Sequence, residues 1–160
     1  MRVDEYFREY ASSHRTPGNE LTHVVGIPLI VWAVIRAESF VKLGPVDLGL
    51  VGIALVMVFY LTLSFRLALG AAAIALGMWW AGHALAIPLW AAGAAFVVGW
   101  AFQLVGHSVF EGVKPSFLKN LVHLLIGPIW LLNFVLRAAP SGLETKSNLA
   151  RFRPSRANSS

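Results

Sequence analysis

Five histidines interrupt an otherwise apolar chain: His14, His23, His83, His107 and His123. Imidazole is the commonest metal-ligating side chain and the one that titrates near neutrality, so such a set points to metal chemistry or proton transfer. Gln103, His107 and Glu111 are spaced four apart. At about 100° per residue, each step of four returns to nearly the same helix face, with a drift of about 40°. Three polar groups on one stripe can therefore aim at one spot. Ala95 and Gly99 continue the stripe, and their small size lets a neighbouring helix come close. Tyr10 and His14 share the same spacing, as do Asn19 and His23. A polar partner one turn away is what a metal-ligating imidazole uses to fix its tautomer. The ordinary alternative for any one of these histidines is an interfacial or capping role at a helix end. Gln103 and Glu111 can equally serve as helix-packing hydrogen bonders. His83 has no partner in view and takes the ordinary reading.

An imidazole-rich set with one carboxylate suits Fe, Zn, Cu or Ni and argues against Mg or Ca. The spacing does not match the HxxxH and HxxHH boxes of membrane desaturases and hydroxylases, nor the HExxH of metallopeptidases. There is no cysteine, so neither a thiolate site nor a disulfide framework is available.

The elements that must carry these groups are helices in a membrane. The chain has 160 residues, 57% hydrophobic and 13% charged. A soluble domain carries about 45–50% apolar and about 25% charged residues. From Val24 to Leu136 the apolar residues form long blocks of the kind that span bilayers, and alternating strand patterns are absent. The expected fold is all-α: a polytopic integral membrane helix bundle of about five spans, or four if the first block does not cross. The blocks are Val24 to about Leu43, Leu48 to Phe65, Leu67 to Gly82, Ala84 to Gly106, and Leu121 to Leu136. The first is the least regular, because Arg36 and Glu38 interrupt it, and Pro17 and Gly18 break any helix ahead of it. Residues 2–13 read as a short amphipathic helix, with Val3, Tyr6, Phe7 and Tyr10 on one face. The membrane-embedded domain covers 1–140, and 141–160 reads as a disordered basic tail. The start of the chain lacks the apolar core of a cleavable signal peptide.

With five spans, His14, His23, His107 and His123 fall near one membrane face and His83 near the other. The net charge of +5 suits lipid headgroups rather than nucleic acid, since basic residues flank the apolar blocks and fill the tail. They divide six against seven between the two sides, which leaves orientation open. Oligomeric state is equally open.

Two stretches carry a family resemblance. The first is Tyr10-Ala-Ser-Ser-His14-Arg-Thr-Pro17-Gly-Asn19-Glu-Leu-Thr-His23-Val-Val-Gly26-Ile27-Pro28. The second is Gln103-Leu-Val-Gly106-His107-Ser-Val-Phe-Glu111-Gly-Val-Lys-Pro115, continuing through Asn120, His123 and Gly127-Pro128. Together they resemble the membrane-bound, iron-dependent 2-hydroxy fatty acid dioxygenases of alpha-oxidation, in the form bacterial relatives take. The resemblance implies Fe(II) as cofactor, His14, His23 and His107 as ligands, and His123 as a fourth candidate. It implies a 2-hydroxy long-chain fatty acid and O2 as substrates and an acid one carbon shorter as product. A 2-hydroxy acid can offer its hydroxyl and carboxylate to one metal together. Glu111, one turn after His107, is read as a ligand or as the partner of a ligating histidine. Ser116 stands where the family more often has Ala, and Asn133 where some members have an acid. The implied location is the inner membrane for a bacterial protein and the endoplasmic reticulum for a eukaryotic one. The rival reading is a non-catalytic membrane scaffold or lipid-binding protein whose histidines are structural. A transporter ranks last, because no matching pair of broken spans is present.

Overall fold

The computed structural model describes residues 3–11, 16–112 and 122–138, without the side chains of 137 and 138. His14, Arg15, Lys114, Lys119, Ser116, Asn120 and the tail from 139 onward lie outside the described residues.

Helix α1, Val3–Ala11, has acids in its first turn and Arg8 in its last, which suits the helix dipole. Its apolar stripe leads to the buried Tyr10. Helix α2, Pro17–Glu38, begins earlier than the sequence pattern suggests. Pro17 does not end a helix here; it starts one, at the position where its missing N–H costs nothing. Thr16 caps this end, accepting the Asn19 N–H. His23 is therefore on the helix rather than in a loop before it. At the other end, Ser39 returns both its N–H and its hydroxyl to the Ile35 carbonyl. Arg36, which made the first block look irregular, lies in the last turn. Its Nε donates to the Ile87 carbonyl at 2.7 Å, and its guanidinium sits 4.3 Å from the Phe40 ring centre.

A two-residue hairpin follows, with β1 Lys42–Leu43 antiparallel to β2 Val46–Asp47 around Gly44 at φ +65°. Helix α3, Leu48–Leu63, is capped by Asp47, and helix α4, Phe65–Ala84, by Ser64. Helix α5, Leu89–Val105, runs directly into a π-helical turn, Gly106–Glu111, which stops at Gly112 in the left-handed region. Helix α6 spans Val122–Ala138.

Three helical segments are long and apolar enough to cross a membrane: Pro17–Glu38, Phe65–Ala84 and Leu89–Glu111. Helix α3 and the stretch Val122–Leu136 are apolar but shorter. Large apolar side chains such as Leu55, Val58, Phe65, Leu69, Trp90 and Val97 point outward, which in water would be a liability and in lipid is the expected surface.

Helix α2 is the hub, packed most extensively on α5 and touching α3, α4 and α6 as well. The α2–α5 seam is built on glycine. A Cβ added to Gly26 would lie 2.9 Å from the Gly99 carbonyl oxygen and 2.5 Å from Gln103 Nε2. One added to Gly99 would lie 3.0 Å from the Gly26 carbonyl oxygen. On the other side, Ile27 joins Tyr10, Ile126, Trp130 and Leu131 in a core cluster. Tyr60 of α3 ties this end to α6 by donating its hydroxyl to the Leu125 carbonyl.

The opposite end has its own polar knot, and it gives His83 a partner that the sequence did not reveal. Asp47 is almost fully buried. It accepts the Trp79 indole N–H at 3.1 Å and the Leu50 N–H at 3.0 Å, with Lys42 Nζ at 3.4 Å and His83 Nε2 at 3.3 Å. Burial opposes its ionisation, but the hydrogen bonds from Leu50, Trp79 and Lys42 and the Lys42 charge outweigh burial and hold its carboxyl below the usual range.

The glycine seam generates a stability prediction. Gly26→Leu forces backbone apart where Gly99 cannot yield. Overpacking of this kind costs about 1–3 kcal/mol, so the thermal midpoint of the detergent-solubilised protein, followed by size-exclusion fluorescence, should fall by several degrees. A midpoint equal to the parent's would mean that the seam does not hold α2 against α5.

Candidate functional site

His23 lies on the second turn of α2 and is completely buried. Its Nδ1 sits 2.8 Å from the Asn19 carbonyl oxygen. A carbonyl can only accept, so Nδ1 carries a proton, and the lone pair of the neutral ring is on Nε2. The spacing of Asn19 and His23 thus matters through the Asn19 main chain, not its amide. His107 occupies the π turn and is buried against His23. The two rings meet edge to face, with centres 4.9 Å apart and planes at 89°. A π turn is wider than an α turn and is frequent at functional sites. Gly106 permits this one to approach α2: a side chain there would strike the Thr22 hydroxyl and the Asn19 amide oxygen.

His123, near the start of α6, is buried too. Its Nε2 lies 3.5 Å from a Glu9 carboxylate oxygen, and its ring is nearly perpendicular to that of Tyr10 at 6.1 Å. Tyr10 is held from the other side by Trp130, with ring centres 5.1 Å apart. Burial pushes the Tyr10 phenol up, so it stays protonated and can donate.

These groups surround one cavity of about 60 Å³. Tyr10, His23, Gln103, His107 and His123 form its polar end. Ile27, Ile30, Val31, Trp100, Leu124 and Pro128 form the rest. On α2 the lining runs from His23 to Val31 and on α5 from His107 back to Trp100, about 10–12 Å of helix in each case at 1.5 Å per residue. The cavity is therefore polar toward the helix ends and apolar toward the middle of the bundle.

Glu111 is placed differently from Gln103 and His107. The π turn changes the register of the stripe, and the Glu111 carboxylate accepts the Thr16 N–H at 2.7 Å and the Thr16 hydroxyl at 3.1 Å. It fastens the start of α2, two residues after His14, to the end of the π turn. His83 is at the far end of the bundle with Asp47. Among the described residues, no three His, Asp or Glu side chains come together as a metal-holding group. The donor chemistry nevertheless fits a metal. Two buried imidazoles meet at a cavity, the tautomer of one is fixed by a carbonyl, and a third imidazole lines the same cavity.

A family model described as 2-hydroxy-palmitic acid dioxygenase Mpo1-like matches residues 1–139. The chain belongs to the Mpo1-like family. It is also 30% identical over 127 residues to the 2-hydroxy-palmitic acid dioxygenase MPO1 of Saccharomyces cerevisiae, a match covering 77% of this chain and 73% of that protein. No solved structure gives a significant match.

Two residues in this part of the Mpo1-like chain escaped the sequence reading. Trp100 lies seven residues before His107, two helical turns away on the same face, and that spacing was available as a signal. Thr16 gave none, because its partner Glu111 is 95 residues away.

The Thr16 clasp makes a prediction that needs no metal. Hydrogen bonds to charged groups contribute about 1.5–3 kcal/mol. Glu111→Ala should therefore speed amide exchange at Thr16 roughly 10–100-fold in hydrogen–deuterium exchange mass spectrometry, and Glu111→Gln, which keeps an acceptor, should do so less. Equal exchange in parent and Ala variant would remove the clasp.

Proposed function

We propose that this chain is an Fe(II)-dependent dioxygenase that shortens 2-hydroxy long-chain fatty acids by one carbon. The observation that carries the proposal is the amphiphilic cavity: imidazoles at one end, hydrocarbon side chains at the other, in a helix bundle with lipid-facing walls. Family membership supports the same reading, since the yeast relative is named for 2-hydroxy-palmitic acid. The reaction balances as R–CH(OH)–COOH plus O2 giving R–COOH, CO2 and H2O. Zinc has no redox chemistry to offer O2, whereas iron(II) supplies it.

In this reading His23, His107 and His14 hold the iron, with His123 as a fourth donor. The Asn19 carbonyl keeps the His23 lone pair on Nε2. Glu111 acts at one remove: it fixes Thr16 at the start of α2, the helix that carries His23. Tyr10, protonated and buried at the polar end, offers a hydrogen bond to a carboxylate. The apolar lining excludes water and receives the first carbons of the chain.

The rival is a lipid-binding bundle with structural histidines, which the complete burial of His23 and its bond to the Asn19 carbonyl also suit. Metal analysis separates the two. Purified protein should contain about one iron per chain, consume O2 with 2-hydroxypalmitate and release pentadecanoate. Chelation should abolish the activity, and Fe(II) but not Zn(II) should restore it. His14→Ala, His23→Ala and His107→Ala should reach the membrane like the parent, because insertion depends on the apolar segments, yet lose at least about 100-fold in turnover by the loss of a metal ligand. His83→Ala, at the far end, should remain active. A normally inserted His107→Ala protein with parental turnover would sink the proposal.

A further inference from the structure

The cavity is far too small for the substrate it is proposed to serve. A water-sized group needs about 10–15 Å³ of free space, so about 60 Å³ takes four to six such groups. The head of a 2-hydroxy acid has five heavy atoms: two carbons and three oxygens. The head and its first neighbouring carbons take up the space, and most of the chain has to lie outside it.

The bundle is closed in most directions. The α2–α5 seam is sealed by backbone contact at Gly26 and Gly99. Tyr10, Ile27, Ile126 and Trp130 close the α1–α2–α6 side. Helices α5 and α6 both line the cavity, yet along their described lengths they barely touch each other. Where they part, the cavity wall reaches the surface: Leu124 is 45% exposed, and Trp100 and Pro128 are partly exposed. Phe96, one turn further from the histidines, packs on Trp100 with ring centres 6.2 Å apart and is itself exposed. Its ring extends an apolar wall away from the polar end.

We infer that the hydrocarbon chain of the substrate lies in the cleft between α5 and α6, against Trp100, Phe96, Leu124 and Pro128, and that the substrate enters through this cleft sideways from the bilayer. The occupant is an alkyl chain because the described residues named along the cleft are apolar, because three of them also line the head-sized cavity, and because the surface on which they open is itself apolar. The inference rests on the proposed reaction only for the identity of the head group.

The test is a sixteen-carbon 2-hydroxy fatty acid carrying a diazirine at mid-chain, photolysed with the full-length, iron-loaded protein in lipid nanodiscs. Labelled sites are mapped by mass spectrometry. Labels should concentrate on the peptides containing Phe96, Trp100, Leu124 and Pro128, and excess 2-hydroxypalmitate should suppress them at least fivefold. Labels on α3 and α4, or labels that 2-hydroxypalmitate does not suppress, would overturn the inference. Leu124→Trp, which fills the cleft, should raise KM for 2-hydroxypalmitate about tenfold; an unchanged KM would count against the cleft. The two proposals fail separately. Competed labelling in the cleft without turnover keeps the lateral acyl site and removes the reaction. Full turnover with labels elsewhere keeps the reaction and removes the cleft.

Discussion

Everything at the histidine end depends on how closely α2 approaches α5. In lipid, burying apolar side chains gives no drive for helices to associate, so contact comes from packing and hydrogen bonds, and small residues set the distance. Gly26 and Gly99 bring the two backbones together. His23 is three residues from Gly26, and His107 is eight from Gly99, both toward the same end. Once the seam is set, the two imidazoles have to meet, and they do so edge to face at 4.9 Å. Gln103, which sits against Gly26, marks the floor of that meeting point. A wider seam would leave the same residues on the same helices without a shared cavity.

The two ends of the bundle gather buried polar groups in different arrangements. Buried polar atoms in folded proteins are nearly always paired. At the Asp47 end one carboxylate receives an indole, a main-chain N–H, an ammonium and an imidazole, and the knot ties the hairpin to α3 and α4. At the other end, polar side chains are gathered around a space. The first arrangement is a closed structural knot, and the second lines a cavity, which separates His83 from His23, His107 and His123 although all are histidines near helix ends.

The helical class, the approximate blocks and the separation of His83 from His23, His107 and His123 were legible in the sequence, because hydropathy and period depend on near neighbours. So was the small-residue stripe, since Gly99 lies on the face of Gln103 and His107. Features set by distant residues were not. Pro17 reads as a breaker unless Thr16 is recognised as the cap before it. The π turn at Gly106–Glu111 has no sequence signature here, and it is what turns Glu111 toward Thr16. The pairing of His83 with Asp47 joins residues 36 positions apart through a hairpin too short to show as a strand pattern. The sequence also read the first block as interrupted by Arg36; the structure places that charge in the last turn, bonded to the Ile87 carbonyl.

The direction of the cavity follows from the bilayer as much as from the protein. A 2-hydroxy fatty acid in a membrane already lies with its head at the interface and its chain toward the middle. The cavity has the same polarity, with histidines toward the helix ends and Trp100 and Val31 deeper. Moving a chain of about fourteen carbons from lipid into water would cost roughly 11 kcal/mol at about 0.8 kcal/mol per methylene. A water-soluble enzyme has to offset that by enclosing the chain, which demands a large core and a long tunnel. Under the proposed reaction, a bundle that encloses only the head and lets the chain rest in a cleft open to lipid avoids this cost. A short polypeptide with a small cavity is then sufficient, because its helices need only gather His23, His107 and His123 around a head-sized space toward one end of the bundle.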